Sequence, residues 1–173
     1  MAWLRGLGLL LLLPALGARA QTDAPGLQDL FRQGRVELDA GAGLGALGGR
    51  DYLLLLLGAG YYVRDGLSVG ATGEAWMGSQ PQLGDVSPAL RYVFLGSSWS
   101  CKPYLGAFYR RTFFNHAQSP LDSSGARAGV VFPLSGRAYL TGGLVYEHYF
   151  SCTGSIFANC DQVYPELGLA FAL

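Results

Sequence analysis

The side chains that could carry out chemistry are few. The 173-residue chain has two histidines. His116 stands three positions before Ser119, which is one hypothesis for a nucleophile and its base, and His148 follows Glu147. A serine nucleophile needs a base within hydrogen-bond reach, and this spacing does not ensure one. No cluster of His or Cys has the spacing of a metal site. We therefore predict no enzymatic activity, no metal and no cofactor.

Glycines and cysteines offer two further patterns. The run Gly41-x-Gly43-x-Gly45 lies within a predicted strand rather than between a strand and a helix, so it does not predict a phosphate-binding loop. Cys152 and Cys160 lie eight positions apart in a polar segment near the C-terminus, whereas Cys101 is remote from both. In an exported protein such a spacing favours a disulfide between Cys152 and Cys160 over two free thiols, and leaves Cys101 unpaired or bonded to another chain.

The composition limits the classes of partner. Half of the residues are hydrophobic and 14% are charged, against about 25% in a typical soluble domain. Twelve basic residues balance twelve acidic ones. Binding to nucleic acid through a basic surface needs clustered Lys and Arg, so this class is excluded. A disordered chain needs high charge and low hydrophobicity, so this class is excluded too.

The first twenty residues have the pattern of a cleaved signal peptide. Arg5 precedes an apolar run from Leu7 to Leu16, and Ala18-Arg19-Ala20 matches a small-x-small cleavage site. The apolar run is half the length of the roughly 20 residues that a spanning helix needs. We therefore predict residues 1–20 as a signal peptide, 21–33 as an N-terminal lead-in with one short helix or a loose conformation, and 34–173 as the folded domain.

The rest of the chain alternates between apolar residues and small or charged residues, which is typical of half-buried strands. In the last segment Leu167, Leu169, Phe171 and Leu173 share one face. We predict an all-β fold, an eight-stranded antiparallel up-and-down transmembrane β-barrel, because each segment has about the 9–11 residues that a tilted strand needs to cross a bilayer. The predicted strands are 35–46, 52–63, 67–77, 86–95, 103–112, 125–133, 138–148 and 163–173.

The connections alternate between short turns and long polar loops, which is the asymmetry of outer-membrane barrels. Residues 78–85, 113–124 and 149–162 are the predicted outer loops, although 47–51 is short for an outer loop and 96–102 is long for an inner turn. Loops 113–124 and 149–162 are the predicted surface for an extracellular ligand.

The charged face is also the face of the small residues. Eight strands leave an interior only wide enough for side chains, so the small and charged face should point inward and the bulky apolar face toward lipid. Aromatic residues near the strand ends then predict two belts at the membrane interfaces, with Tyr92, Phe94, Tyr139 and Phe171 at the inner ends and Tyr52, Tyr109, Tyr146 and Tyr149 at the outer ends.

Alternation assigns eight charged residues to the interior. Unpaired charges in a narrow lumen are costly, so we expect ion pairs that plug it; a narrow, charge-lined conduit for small solutes is the alternative. We expect an outer tier of Glu74, Arg110, Arg127 and Glu147, and a lower tier of Glu37, Asp39, Arg91 and Glu166.

The last residues carry a family resemblance. Glu166-x-Gly168-x-x-Phe171-x-Leu173 resembles the C-terminal assembly signal of bacterial outer-membrane barrels, with Leu where that family usually ends in Phe. The segments 87–94 and 103–107 resemble the small OmpA/OmpX/OmpW-like eight-stranded barrels. The resemblance implies insertion by the barrel-assembly machinery into the outer membrane of a Gram-negative cell, beside lipid and lipopolysaccharide. It also implies that the periplasmic domain of full-length OmpA-type proteins is absent.

The expected function is a structural or surface-binding role in the cell envelope. A narrow channel and an outer-membrane lipid-modifying enzyme are the alternatives. Lipid A deacylases place Ser and His on a similar barrel with a His-x-Ser spacing, whereas His116 and Ser119 are one residue further apart.

Overall fold

The computed structural model describes residues 28–47, 50–78, 82–114, 119–134, 136–150 and 160–173. The predicted signal peptide, most of the lead-in, His116 and Cys152 lie outside these residues. Within them, no helix is both long and apolar enough to cross a membrane.

Eight antiparallel strands close into a barrel in sequence order, as predicted. Each strand pairs with its neighbours in the chain, and β1 pairs with β8 over the four residues from Glu37 to Ala40. The strands are β1 (Val36–Leu47), β2 (Arg50–Arg64), β3 (Leu67–Met77), β4 (Leu83–Val93), β5 (Lys102–Phe114), β6 (Leu121–Pro133), β7 (Ala138–Tyr149) and β8 (Asp161–Ala172).

The strands extend further toward the outer end than the sequence predicted. β4 begins at Leu83 rather than 86, β5 continues to Phe114, and β6 begins at Leu121 rather than 125. The outer connections are correspondingly shorter than the predicted loops 78–85, 113–124 and 149–162. Phe113 and Phe114 therefore belong to a strand, and only Phe113 is exposed on the outer wall.

The outer wall is apolar around the barrel, because the alternating bulky residues face outward. Leu57, Leu144 and Leu167 are more than half exposed. Such a wall is stable in lipid, where a closed barrel also pairs its backbone groups internally. Of the predicted belts, Tyr92, Phe94, Tyr109, Tyr146 and Phe171 are exposed on this wall.

Three belt assignments are wrong. Tyr52 and Tyr139 are buried, and Tyr149 lies beside Arg110 at a lumen cavity. Each occupies an inward position of its strand: Tyr139 and Tyr149 have the same parity as Glu147 on β7. Strand parity, rather than closeness to a strand end, decides which side of the barrel a tyrosine faces.

The N-terminal segment folds into the inner end of the barrel. A turn of 3-10 helix, Asp29–Phe31, brings the completely buried Phe31 against Tyr62 and Tyr139, with ring centroids 5.8 and 5.2 Å away. The backbone amide of Gly66 donates to the carbonyl of Phe31 at 2.8 Å. The short-helix interpretation of the lead-in thus agrees with residues 29–31, which form an apolar cap below the lumen.

Candidate functional site in the charged lumen

The lumen contains ionisable side chains at three successive heights, because the alternation along all eight strands turns charged or hydroxyl-bearing side chains inward. We call them the inner, middle and outer clusters. The inner cluster is Glu37, Tyr62, Arg91 and Tyr139; the middle cluster is Tyr104, Arg127 and Glu166; the outer cluster is Glu74, Asp85, Arg110 and Glu147.

The inner cluster surrounds one carboxylate. Glu37 Oε2 accepts hydrogen bonds from the hydroxyls of Tyr62 and Tyr139 and from the guanidinium of Arg91. Arg91 Nη2 also lies 3.0 Å from the Tyr62 hydroxyl. Three donors therefore satisfy the buried carboxylate, and the cap residue Phe31 lies against the same two tyrosine rings.

The middle cluster joins two charged residues, Arg127 and Glu166, that the sequence assigned to different tiers. Arg127 Nη1 lies 3.3 Å from Glu166 Oε2, and the Tyr104 hydroxyl donates to Glu166 Oε1 at 2.6 Å. Arg127 was expected in the outer tier beside Glu147, so this height assignment is wrong. The stagger of tilted strands sets height in a barrel, and local alternation does not reveal it.

Phe108 separates the middle and outer clusters. Its ring lies 4.8 Å from the guanidinium carbon of Arg127 and 5.2 Å from that of Arg110. Both distances suit a cation–π contact. A buried aromatic ring between two cations adds an apolar layer within the charged lumen.

The outer cluster places three carboxylates around one guanidinium. Arg110 lies 3.2 Å from Glu74, 3.2 Å from Glu147 and 3.7 Å from Asp85, measured between the closest nitrogen and oxygen atoms. The Ser123 hydroxyl donates to Glu147 at 2.6 Å, and the Tyr164 hydroxyl does so at 2.8 Å.

Sequence reasoning missed Asp85 and the hydroxyls of Tyr62, Tyr104, Ser123, Tyr139 and Tyr164. The alternation of side chains along a strand could have predicted that these tyrosines face the lumen. Tyr104 shares the face of Arg110 on β5, and Tyr164 shares the face of Glu166 on β8. Asp85 had been placed in the 78–85 loop, because the predicted β4 began too late.

The remaining open space is small. A cavity of about 50 Å³ is bordered by Asp39, Arg91 and Arg127, and most of its other lining residues are small side chains of β2–β4. A cavity of about 30 Å³ lies at the outer end beside Asp85 and Arg110. Each has room for roughly one to a few water molecules. Asp39 thus borders a cavity and forms no ion pair among those between described residues.

Among the described residues at the outer end of the barrel, no serine is hydrogen-bonded to a histidine that could act as its base. Ser119 is exposed, and His148 Nδ1 lies 2.9 Å from Asp161 Oδ1 on the outside of the barrel. Asp161 is the outermost residue of β8. No group of three or more His, Cys, Asp or Glu side chains in the described ranges could hold a metal ion.

The two cysteines that the structure describes lie at opposite ends of the barrel. Cys101 has a free thiol in the inner turn before β5, where the sequence placed it. Cys160 lies just before β8 at the outer end. The Cys152–Cys160 disulfide remains a prediction, because Cys152 is outside the described residues.

The residues of the predicted assembly signal alternate across the wall of β8. Glu166 faces the lumen, and Gly168 faces Thr141, whose hydroxyl would lie 2.8 Å from a Cβ at that position. Phe171 and Leu173 are exposed on the apolar wall. Their recognition by assembly machinery remains a prediction.

Comparison with known proteins identifies the fold. No protein-family model and no curated protein sequence matches the chain. The N-terminal β-barrel domain of Pseudomonas aeruginosa OprF is similar at a TM-score of 0.62 and 16% identity, over 82% of this chain and 98% of that one. Neisserial surface protein A is similar at 0.55 and 17%, over 80% and 95%. A major outer membrane protein of Thermus thermophilus is similar at 0.50 and 15%, over 80% and 99%.

The predicted fold is therefore confirmed: the chain has the architecture of small eight-stranded outer-membrane barrels. The structures that it resembles are bacterial outer-membrane proteins, in agreement with the predicted location in the bacterial outer membrane. The chain covers nearly the whole length of each of these barrels.

Proposed function

We propose that this chain is an integral outer-membrane β-barrel whose lumen is closed by its own side chains, and that its role in the cell envelope is structural. The observation that carries the proposal is the stacking of three ion-paired clusters along one narrow lumen, with Phe108 between two of them and Phe31 below.

The energetics favour a closed lumen over a conduit. An eight-stranded barrel has an interior that side chains fill. A hydrated ion that crosses it has to displace partners at each height, and breaking a buried ion pair costs about 3–5 kcal/mol. The cavities beside Asp39 and Asp85, of about 50 and 30 Å³, are too small to form a continuous aqueous path.

Swelling of proteoliposomes in an isotonic sugar solution tests the closed lumen. We expect vesicles containing the refolded protein to swell at the rate of protein-free vesicles, whereas vesicles with a large open porin swell quickly. Swelling that increases in proportion to the amount of this protein would contradict the proposal.

Deletion of the gene tests the structural role. We expect the deletion strain to take up an excluded hydrophobic dye and to become sensitive to detergent, and a plasmid copy to reverse both changes. A deletion strain with an unchanged barrier, combined with loss of adhesion to a surface, would replace the structural role with surface binding at the outer loops.

A further inference from the structure

We propose that the outer mouth of the lumen binds a small primary ammonium group, with Asp85 as its counter-ion and aromatic side chains as its wall. This site goes beyond the structural role. It also does not depend on whether the lumen conducts, because it lies at the outer end, beside the ion pairs of Arg110 with Glu74 and Glu147.

The site is the cavity of about 30 Å³ at the outer end of the barrel. This volume accommodates roughly one or two groups of the size of water or ammonium. Asp85, Arg110 and Thr112 contribute its polar atoms. Its apolar lining consists of Trp76, Leu83, Phe114, Leu121 and the ring of Tyr149.

Asp85 supplies an unsatisfied acceptor. Its side chain is almost completely buried, and its Oδ1 atom has no hydrogen-bond partner of good geometry; the indole Nε1 of Trp76 in the same cavity is likewise without one. Arg110 Nε is 3.7 Å from this oxygen, which is beyond hydrogen-bond reach. A buried acceptor without a well-placed donor is costly, so a ligand that donates a hydrogen bond to Asp85 would be favoured.

The local charge favours a cation as that donor. Glu74 and Glu147 each lie 3.2 Å from Arg110 and share its positive charge, whereas Asp85 is farther away at 3.7 Å. Three carboxyl groups face one guanidinium, so the described groups carry an excess of negative charge whenever more than one of the three is ionised. A cationic ligand would reduce this excess, whereas an anionic ligand would increase it.

The aromatic lining favours an ammonium group over a metal ion. Trp76 and Phe114 line the cavity, and Tyr52 packs edge-on against Trp76 at 5.8 Å between ring centroids. Aromatic faces attract ammonium groups. A hard metal ion instead requires several oxygen ligands around it, and Asp85 is the only carboxylate among the described residues that line this cavity.

The emission of Trp76 reports on occupancy. The chain from Gln21 onward contains Trp76 and Trp99, and Trp99 is exposed in the turn between β4 and β5. In a Trp99→Phe background, refolded protein in detergent is titrated with methylammonium chloride. Sodium chloride is the ionic-strength control, and tetramethylammonium chloride is the control for a cation without N–H donors.

We expect a saturable change in emission with methylammonium and none with the two controls. Asp85→Asn should weaken the apparent affinity by about tenfold or more. Asp122→Asn is the matched variant, since Asp122 is also at the outer end but pairs with Arg111 on the outside, and it should leave the affinity unchanged. Phe114→Leu serves as a second variant if Asp85→Asn does not show the heat-modified gel shift of a folded barrel.

Three outcomes would overturn the proposal. These are the absence of a saturable change, an equal response to sodium chloride or to tetramethylammonium chloride, and unchanged affinity in a folded variant at Asp85 or Phe114. Any of them would leave the aromatic residues as a cap over the outer cluster. None would bear on the closed lumen, which the swelling assay tests separately.

Discussion

Glu37 on β1 and Arg91 on β4 form an ion pair across the lumen, although 54 positions separate them in the chain. Glu37 is almost completely buried, Arg91 is largely buried, and two tyrosine hydroxyls complete the pair. It lies directly above the N-terminal cap, since Phe31 packs on the rings of the same two tyrosines. The inner end of the barrel is therefore closed by an apolar cap and an ion pair that share neighbours.

Removing Arg91 should destabilise the barrel, because Glu37 would remain as a buried carboxylate without its cation. We expect Arg91→Ala to lower the free energy of unfolding by about 3 kcal/mol or more. Reversible urea unfolding in lipid vesicles measures this change. Lys102→Ala is the control, since Lys102 Nζ donates to a carbonyl oxygen in the neighbouring turn and forms no ion pair with a described residue. Equal losses for the two variants would contradict the assignment of Arg91.

Removing the ring of the cap should loosen the N-terminal segment. Phe31→Ala deletes a completely buried side chain, and such truncations cost about 3 kcal/mol or more. We expect a lower free energy of unfolding and faster proteolysis of residues 28–35. Gln33→Ala is the control, because it is exposed and contributes its backbone amide to Asp65. A protease pattern identical to that of the wild type would argue against the cap.

Two glycines should differ sharply in their tolerance of alanine. A Cβ at Gly129 would lie 2.2 Å from the carbonyl oxygen of Gly142 on β7 and 2.9 Å from the ring of Tyr104. At Gly84 the nearest atom is a carbonyl oxygen at 3.7 Å. Gly129→Ala should therefore destabilise the barrel by about 1–3 kcal/mol, and Gly84→Ala should have a smaller effect. Similar midpoints of urea unfolding for both variants would contradict the close approach of β6 and β7.

The free thiol of Cys101 tests the orientation of the barrel. The inner turn should face the periplasm, so a membrane-impermeant maleimide should label Cys101 only after the outer membrane has been permeabilised. The experiment uses a chain with Cys152→Ser and Cys160→Ser. Cys101→Ser combined with Ser119→Cys is the control for the opposite end, and it should be labelled in intact cells. Labelling of Cys101 in intact cells would indicate the opposite orientation of the barrel.

The pattern of residues predicted the fold well, because one alternating pattern decides both strand identity and the facing of each side chain. It predicted the inward positions of Glu37, Arg110 and Glu166 for the same reason. It misplaced Tyr52 and Tyr139, since an aromatic residue near a strand end was taken as a lipid anchor although its parity pointed inward.

Pairing across the lumen was harder to predict. The partner of Arg127 depends on the tilt and stagger of all eight strands, which no single segment encodes. The role of Asp85 depended on where β4 begins, and strand ends are the least certain part of a sequence-based prediction. Local alternation was therefore sufficient to predict which residues form the outer wall. Predicting which side chains meet within the lumen required the geometry of the closed barrel.

Single-channel recording in a planar lipid bilayer tests the closed lumen most directly. The refolded wild-type protein is added at increasing amounts in about 1 M KCl, where the screening of exposed charges is strong. We expect no resolved conductance steps for the wild type at any amount. Reproducible steps whose frequency increases with the amount of folded protein would contradict a closed lumen, since ions would then pass the Glu37–Arg91, Arg127–Glu166 and Arg110–Glu147 pairs.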